Sequence, residues 1–127
     1  KAAGVHIGQE DIPASAARKI IGRDMILGVS ASSVREAIRA QSDGADYLGV
    51  GSMFPTGTKT DVQLVSMEEL RRIRQAVSIP IVAIGGIHKE NAASFRDTGV
   101  DGLAVVSAIL SQPDIKEAAQ NLKSVFK

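Results

Sequence analysis

Residues 49–59, Gly-Val-Gly-Ser-Met-Phe-Pro-Thr-Gly-Thr-Lys, gather groups that suit a phosphorylated ligand. Thr56 and Thr58 offer neutral hydroxyl donors, and Lys59 offers a mobile point charge. Gly57 can take backbone angles that Thr and Lys reach only at a cost, and Pro55 stiffens the way in. The plainer reading of the same residues is a solvated loop made of turn formers. Two further places repeat the theme. Gly85-Gly86 lets a backbone come close to an anion ahead of a helix, and Val106-Ser107 ends the next apolar run. A Gly-Gly pair alone reads equally as a tight turn. With Ser107 at the neighbouring strand end, the pair reads as an anion site. Glu10 and Asp11 are hard oxygen ligands of the kind Mg²⁺ takes, although Asp11 ahead of Pro13 reads better as a helix cap. His6, set in an apolar run, reads as a packed histidine. It makes no metal pair with His88 by spacing. Arg71, Arg72 and Arg74 read as solvated charges.

These groups need elements to hold them. Five short apolar runs stand at 4–8, 25–29, 47–51, 79–84 and 102–108. Each has strand length and is too short for a helix. None alternates cleanly, the pattern of parallel strands covered on both faces. Helical segments lie between them. Pro13 opens one that places Ala16, Ala17, Ile20 and Ile21 on one face. Ser33-Val34-Arg35-Glu36 and Ser66-Met67-Glu68-Glu69 both fit a capping box. Met67, Leu70, Ile73 and Val77 form a stripe after the second box. A shorter helix is expected over 91–97. A longer one after Pro113 carries Ile115, Ala118, Ala119, Leu122, Val125 and Phe126. Gly22, Gly44 and Gly99 stand where left-handed C-caps are wanted.

Five strand–helix units predict an α/β fold with a parallel sheet. Gly44-Ala45-Asp46 before the third strand is echoed by Gly99-Val100-Asp101 before the fifth. The third unit is longer, and its extra residues are the loop over 56–64. No strand-to-helix turn carries G-x-G-x-x-G, which counts against a doubly wound nucleotide fold. A (β/α)₈ barrel needs eight units. The expectation is therefore one domain over residues 1–127, formed by the last five units of such a TIM barrel. The opening Lys1-Ala2-Ala3-Gly4 then reads as the tail of a preceding helix.

Composition narrows the function. The 127 residues are 44% hydrophobic, enough for a core. Fifteen basic against 14 acidic residues leave a net charge of +1, with no electrostatic bid for nucleic acid or membrane. Aromatics are only 3%, so stacking platforms are scarce. Without cysteine there is neither disulfide nor thiolate metal site, as befits a cytoplasmic protein. No apolar run approaches the roughly 20 residues of a spanning helix.

One family carries these motifs in this order. Gly4-Val5-His6-Ile7-Gly8-Gln9-Glu10-Asp11, Gly28-Val29-Ser30, Gly44-Ala45-Asp46-Tyr47-Leu48-Gly49-Val50-Gly51, Phe54-Pro55-Thr56-Gly57-Thr58-Lys59 and Ala83-Ile84-Gly85-Gly86-Ile87 together resemble thiamine-phosphate synthase, a TIM-barrel family. The likeness covers nearly all of this chain but only the C-terminal part of the family's fold. It implies a transferase that joins 4-amino-2-methyl-5-hydroxymethylpyrimidine diphosphate to hydroxyethylthiazole phosphate, releasing pyrophosphate. It implies Mg²⁺, with Asp11 as one ligand, which displaces the helix-cap reading. Ser30 and Lys59 correspond to groups acting on the diphosphate, and are the expected catalytic residues. Thr56, Thr58, Gly86, Val106 and Ser107 correspond to the thiazole-phosphate site. The family's Asn-Asp metal pair and its Gln/Arg/Lys diphosphate cluster lie on earlier strands, with no replacement here. Ala3 stands where Asp is usual, and Ser52 where Pro is common. The chain alone is therefore expected to be inactive, completed by an N-terminal fragment or a second copy that covers its open sheet edges. Two alternatives stand beside this one: a thiazole tautomerase-like homologue on the same barrel, and a non-catalytic phosphate-binding module.

Overall fold

The computed structural model describes residues 2–56 and 63–126. The elements run β1 (Gly4–Ile7), α1 (Ala14–Ile21), β2 (Ile26–Ala31), α2 (Val34–Ser42), β3 (Tyr47–Val50), α3 (Met67–Ala76), β4 (Ile81–Ile84), a 3₁₀ turn (Ala92–Phe95), β5 (Gly102–Ala104), α4 (Ser107–Leu110) and α5 (Ile115–Phe126). All five strands are parallel, and their order in the sheet is their order in the chain. A doubly wound sheet reverses its strand order at a switch point. Here there is no reversal. Crossovers between neighbouring parallel strands are right-handed as a rule, and successive crossovers of one hand put their helices on one face.

The register assigns the two faces. Val29 pairs with Leu48, Leu48 with Ile81, and Val50 with Ala83. These residues, with Leu27 and Ala31, are buried under the helices together with Leu70, Ile73, Ala37 and Ala40. The alternate positions carry His6, Gly28, Ser30, Tyr47 and Gly49, paired His6 to Gly28, Gly28 to Tyr47 and Ser30 to Gly49. Ile26 and Ile84 on that second face are exposed. The strands therefore do alternate once aligned, and within the described residues only the helix-bearing face is covered.

Several elements differ from the sequence reading. β2 runs to Ala31, so Ser30 lies inside the strand rather than after it. The run over 102–108 divides: the strand ends at Ala104, and Ser107 starts a one-turn helix. The helix expected over 91–97 is a 3₁₀ turn. Ile20 points outward at 76% exposure, because α1 buries Ala14 and Ala17 instead. Both N-caps form as expected: Ser33 accepts from Glu36 N at 3.1 Å, and Ser66 from Glu69 N at 3.0 Å. Their acids do not reach back to the cap residue itself. Glu36 accepts from Ser32 N, and Glu69 crosses to accept from Val34 N at the start of α2.

The echoed Gly-x-Asp segments form matching latches at the amino edge of the sheet. Asp46 accepts from Leu27 N at 2.8 Å and from the Arg18 guanidinium at 2.6 Å. Asp101 accepts from Ile81 N at 2.9 Å and from Arg74 at 3.1 Å. Each arginine also donates to backbone carbonyls, Arg18 to Gly22, Met25 and Gly44, and Arg74 to Val77 and Ile79. Arg74 is thus a half-buried cross-link, not the solvated charge its sequence context implied. The strand N–H of Leu27, helped by Arg18, holds the Asp46 carboxyl below its ordinary value of 3.8.

Candidate functional site at the carboxyl edge of the sheet

Parallel strands in sequential register bring all their carboxyl ends to one edge. Gln9, Glu10 and Asp11 follow β1. Ser30 sits one residue from the end of β2. Ser52 to Thr56 follow β3, Gly85 and Gly86 follow β4, and Val106 and Ser107 follow β5. Asp11, Ser30, Thr56, Gly86, Val106 and Ser107 are therefore all found on that edge. Thr58 and Lys59 lie outside the described residues.

Hydrogen bonds tie the loops into one rim. Gln9 Nε2 donates to Ser30 O at 2.7 Å, which joins the first loop to β2. Met53 N donates to Ile84 O and Phe54 N to Gly85 O, which joins the third loop to the fourth. Gly85 and Gly86 have φ of 106° and 64°, a region closed to most side chains. Space demands glycine as well: a Cβ on Gly86 would stand 2.7 Å from Pro55 O and 2.9 Å from Phe54 Cβ. The turn after β4 therefore lies flat against the residues that lead into Thr56. Val106 is 69% exposed and Ser107 is exposed too, so both face outward from the rim. α4 is a single turn, so the backbone and hydroxyl of Ser107 matter more here than any helix dipole.

Asp11 does not cap α1; Pro13 holds that position without a side-chain bond. Instead, Asp11 Oδ2 accepts from Gly8 N at 2.7 Å, and Asp11 N donates back to Gly8 O. This closes a tight turn that presents the carboxylate to solvent. Its Oδ1 has no hydrogen bond among the described residues. Those residues contain no group of three or more His, Cys, Asp or Glu side chains able to hold a metal. Among the described residues Asp11 stands outside any such group, an arrangement that fits Mg²⁺ bound through one or two carboxylates together with substrate phosphates and water.

The structure adds Tyr47, to which the sequence reading gave no role, and corrects the reading of His6. His6 is exposed, not packed. Its Nδ1 lies 2.9 Å from the Tyr47 hydroxyl, and its Nε2 lies 2.8 Å from Ser30 Oγ. The His6 and Tyr47 rings stand 5.6 Å apart, tilted by 37°. Gly28 and Gly49 make room for them. A Cβ on Gly28 would overlap the hydroxyl end of Tyr47, 2.2 Å from its Cζ, and one on Gly49 would crowd His6 Cε1 at 3.2 Å. The signal in the sequence was the alternation Gly28-Ser30 and Tyr47-Gly49 on the same face as His6. It becomes legible only once the register is known.

The family model for thiamine monophosphate synthase matches residues 1–109. The chain is 60% identical over 125 residues to the thiamine-phosphate synthase of Clostridium beijerinckii, covering 98% of this chain and 60% of that protein. It is 53% identical over 124 residues to the one from Methanobrevibacter smithii, covering 98% and 59%. The chain thus spans about three fifths of the length of these curated relatives. Among solved structures, a thiamine phosphate pyrophosphorylase from Pyrococcus furiosus superposes with a TM-score of 0.88 at 45% identity, over 98% of this chain and 59% of that one. A 3-hexulose-6-phosphate synthase structure superposes at 0.74 with 16% identity, a likeness of fold alone. Matching sequence over the sheet and over its carboxyl-edge loops places the chain in the thiamine monophosphate synthase family.

Proposed function

We propose that this chain supplies the last five β/α units of a barrel that acts as a Mg²⁺-dependent thiamine-phosphate synthase. The reaction condenses 4-amino-2-methyl-5-hydroxymethylpyrimidine diphosphate with hydroxyethylthiazole phosphate and releases pyrophosphate. Its demand is electrostatic: negative charge builds on a departing diphosphate and must be met by fixed donors and cations. The observation that carries the reading is Ser30 Oγ, held at 2.8 Å by His6 on the open face beside the rim. Ser30 can donate to an anion only while its own proton is free. That requires His6 Nε2 to carry the ring proton and donate to Oγ, with Tyr47 donating to Nδ1. The resulting chain, Tyr47 to His6 to Ser30, aims every donor the same way. Thr56, Thr58, Gly86, Val106 and Ser107 would hold the thiazole phosphate, and Lys59 the diphosphate. Asp11 would ligate Mg²⁺, which when bound neutralises diphosphate charge.

The five units leave both sheet edges, β1 and β5, without a neighbouring strand among the described residues. A closed barrel has no such edges. We therefore propose that the remaining units come from further polypeptide and that the chain alone does not turn over, in a cytoplasmic setting. Isothermal titration with pyrophosphate tests the site: Mg²⁺-dependent heat is expected, lost in Asp11→Ala and weakened in Lys59→Ala and Ser30→Ala. Equal binding with and without Mg²⁺, unchanged in Asp11→Ala, would refute the assignment. Thiamine phosphate made by the purified chain alone would refute the claim of incompleteness.

A further inference from the structure

The turn after β4 is held from two sides, and only one side belongs to the ligand-facing loops. On one side Gly85 O accepts from Phe54 N at 3.1 Å. On the other, Gly86 O accepts from Asn91 Nδ2 at 3.1 Å. Asn91 Oδ1 accepts in turn from His88 N at 2.9 Å, and His88 O accepts from Asn91 N and Ala92 N. The Asn91 amide therefore closes a short loop onto the Gly-Gly turn from behind. His88 is itself steadied, with Nδ1 2.8 Å from Glu90 Oε2 and Nε2 3.2 Å from Asn91 Nδ2.

A peptide unit is planar, so fixing a carbonyl fixes the N–H across the same bond. Phe54 fixes the plane that carries Gly86 N–H, and Asn91 fixes the plane that carries Ile87 N–H. Gly86 N–H has no partner among the described residues. Two successive glycines would otherwise sample both signs of φ almost freely, and a donor that must be ordered at the moment of binding loses affinity. We propose that Asn91 is a positioning residue, which orders the Gly85-Gly86 turn so that its N–H groups stand ready for a phosphoryl oxygen. The ligand class rests on the proposed thiazole-phosphate cradle, whereas the ordering of the turn does not.

The test uses the ¹⁵N-labelled chain and inorganic phosphate as probe. Wild type is expected to show saturable amide shifts at Gly86, Val106 and Ser107. Asn91→Ala should weaken phosphate binding about fivefold, the scale of one lost hydrogen bond, and should lower the heteronuclear NOE of Gly86 and Ile87 without phosphate. Ser107→Ala should weaken binding while leaving that NOE unchanged. Asn91→Asp keeps the acceptor for His88 N but cannot donate to Gly86 O. It should loosen the turn as Asn91→Ala does while preserving the 88–92 amide pattern. Unchanged Gly86 order in both variants overturns the proposal. Phosphate binding absent from wild type, with the turn still loosened in the variants, would overturn the phosphate cradle and leave Asn91's role standing.

Discussion

Replacing Asp46 by alanine removes one carboxylate that serves two strands. Leu27 is fully buried, and its N–H loses the only acceptor it has in the latch. A buried N–H left unpaired costs about 1–3 kcal/mol. Arg18 keeps its bonds to the carbonyls of Gly22, Met25 and Gly44. The ion pair adds little, since the Asp46 side chain is 50% exposed, which holds the pair to about 1 kcal/mol or less. The expected loss is about 2 kcal/mol, or a fall of about 5–10 °C in Tm for a chain of this size. Asp46→Asn retains an acceptor for Leu27 N and should lose less than half of that. The pH dependence has a definite sign. The folded carboxyl titrates below its ordinary 3.8, so its ionised form stabilises the fold above that value. That contribution disappears as pH falls through the folded value. The gap between wild type and Asp46→Ala should therefore narrow, though by less than half because the protonated carboxyl still accepts from Leu27 N, as urea denaturation is repeated from pH 6 down through about pH 3. A loss in Asp46→Ala below about 0.5 kcal/mol at pH 6, or a gap that widens toward acid, would refute the latch.

The matching latch predicts that Asp101→Ala costs a similar amount through Ile81 N. The two latches share no partner and brace strands two apart in the sheet, so the double variant should be additive within about 0.5 kcal/mol by urea denaturation. Gly28→Ala should leave the fold in place but push the Tyr47 ring aside. The NOE contacts between the His6 and Tyr47 rings should vanish, and their survival would contradict the packing described. Glu69→Ala should remove the acceptor that reaches Val34 N and cost about 1 kcal/mol in urea denaturation, the scale of a lost helix cap.

Much of the framework was legible because it depends on local terms. Short Val- and Ile-rich runs, Ser caps three residues ahead of Glu, and Gly after helices are energetic statements about a few neighbouring residues. The structure keeps them at β1, β3, α2 and α3. What escaped was set by register. His6, Ser30 and Tyr47 are 24 and 41 residues apart along the chain, and nothing local marks them as partners. Arg74 looked solvated because its neighbours Arg71 and Arg72 are exposed, but its rotation on α3 turns it toward Asp101. Ser30 looked like a loop residue until β2 proved to end two residues beyond its apolar run.

The two edges of the sheet differ for a physical reason. At the amino edge the same task recurs at every second strand: an unpaired strand N–H needs an acceptor, and the helix packed above can send an arginine to neutralise it. One solution suffices, so Gly-x-Asp appears twice, and the repeat can be read in the sequence. At the carboxyl edge, under the proposed function, each loop would meet a different part of a ligand, and the residues diverge into a carboxylate turn, a hydroxyl on a strand, a Pro-Thr loop and a glycine turn. No internal echo marks them. Their common purpose shows only where bonds such as Gln9 to Ser30 and Phe54 to Gly85 stitch unlike loops into one rim. On that account, exchanging corresponding residues between the two latches should be tolerated, whereas grafting one carboxyl-edge loop onto another strand should not.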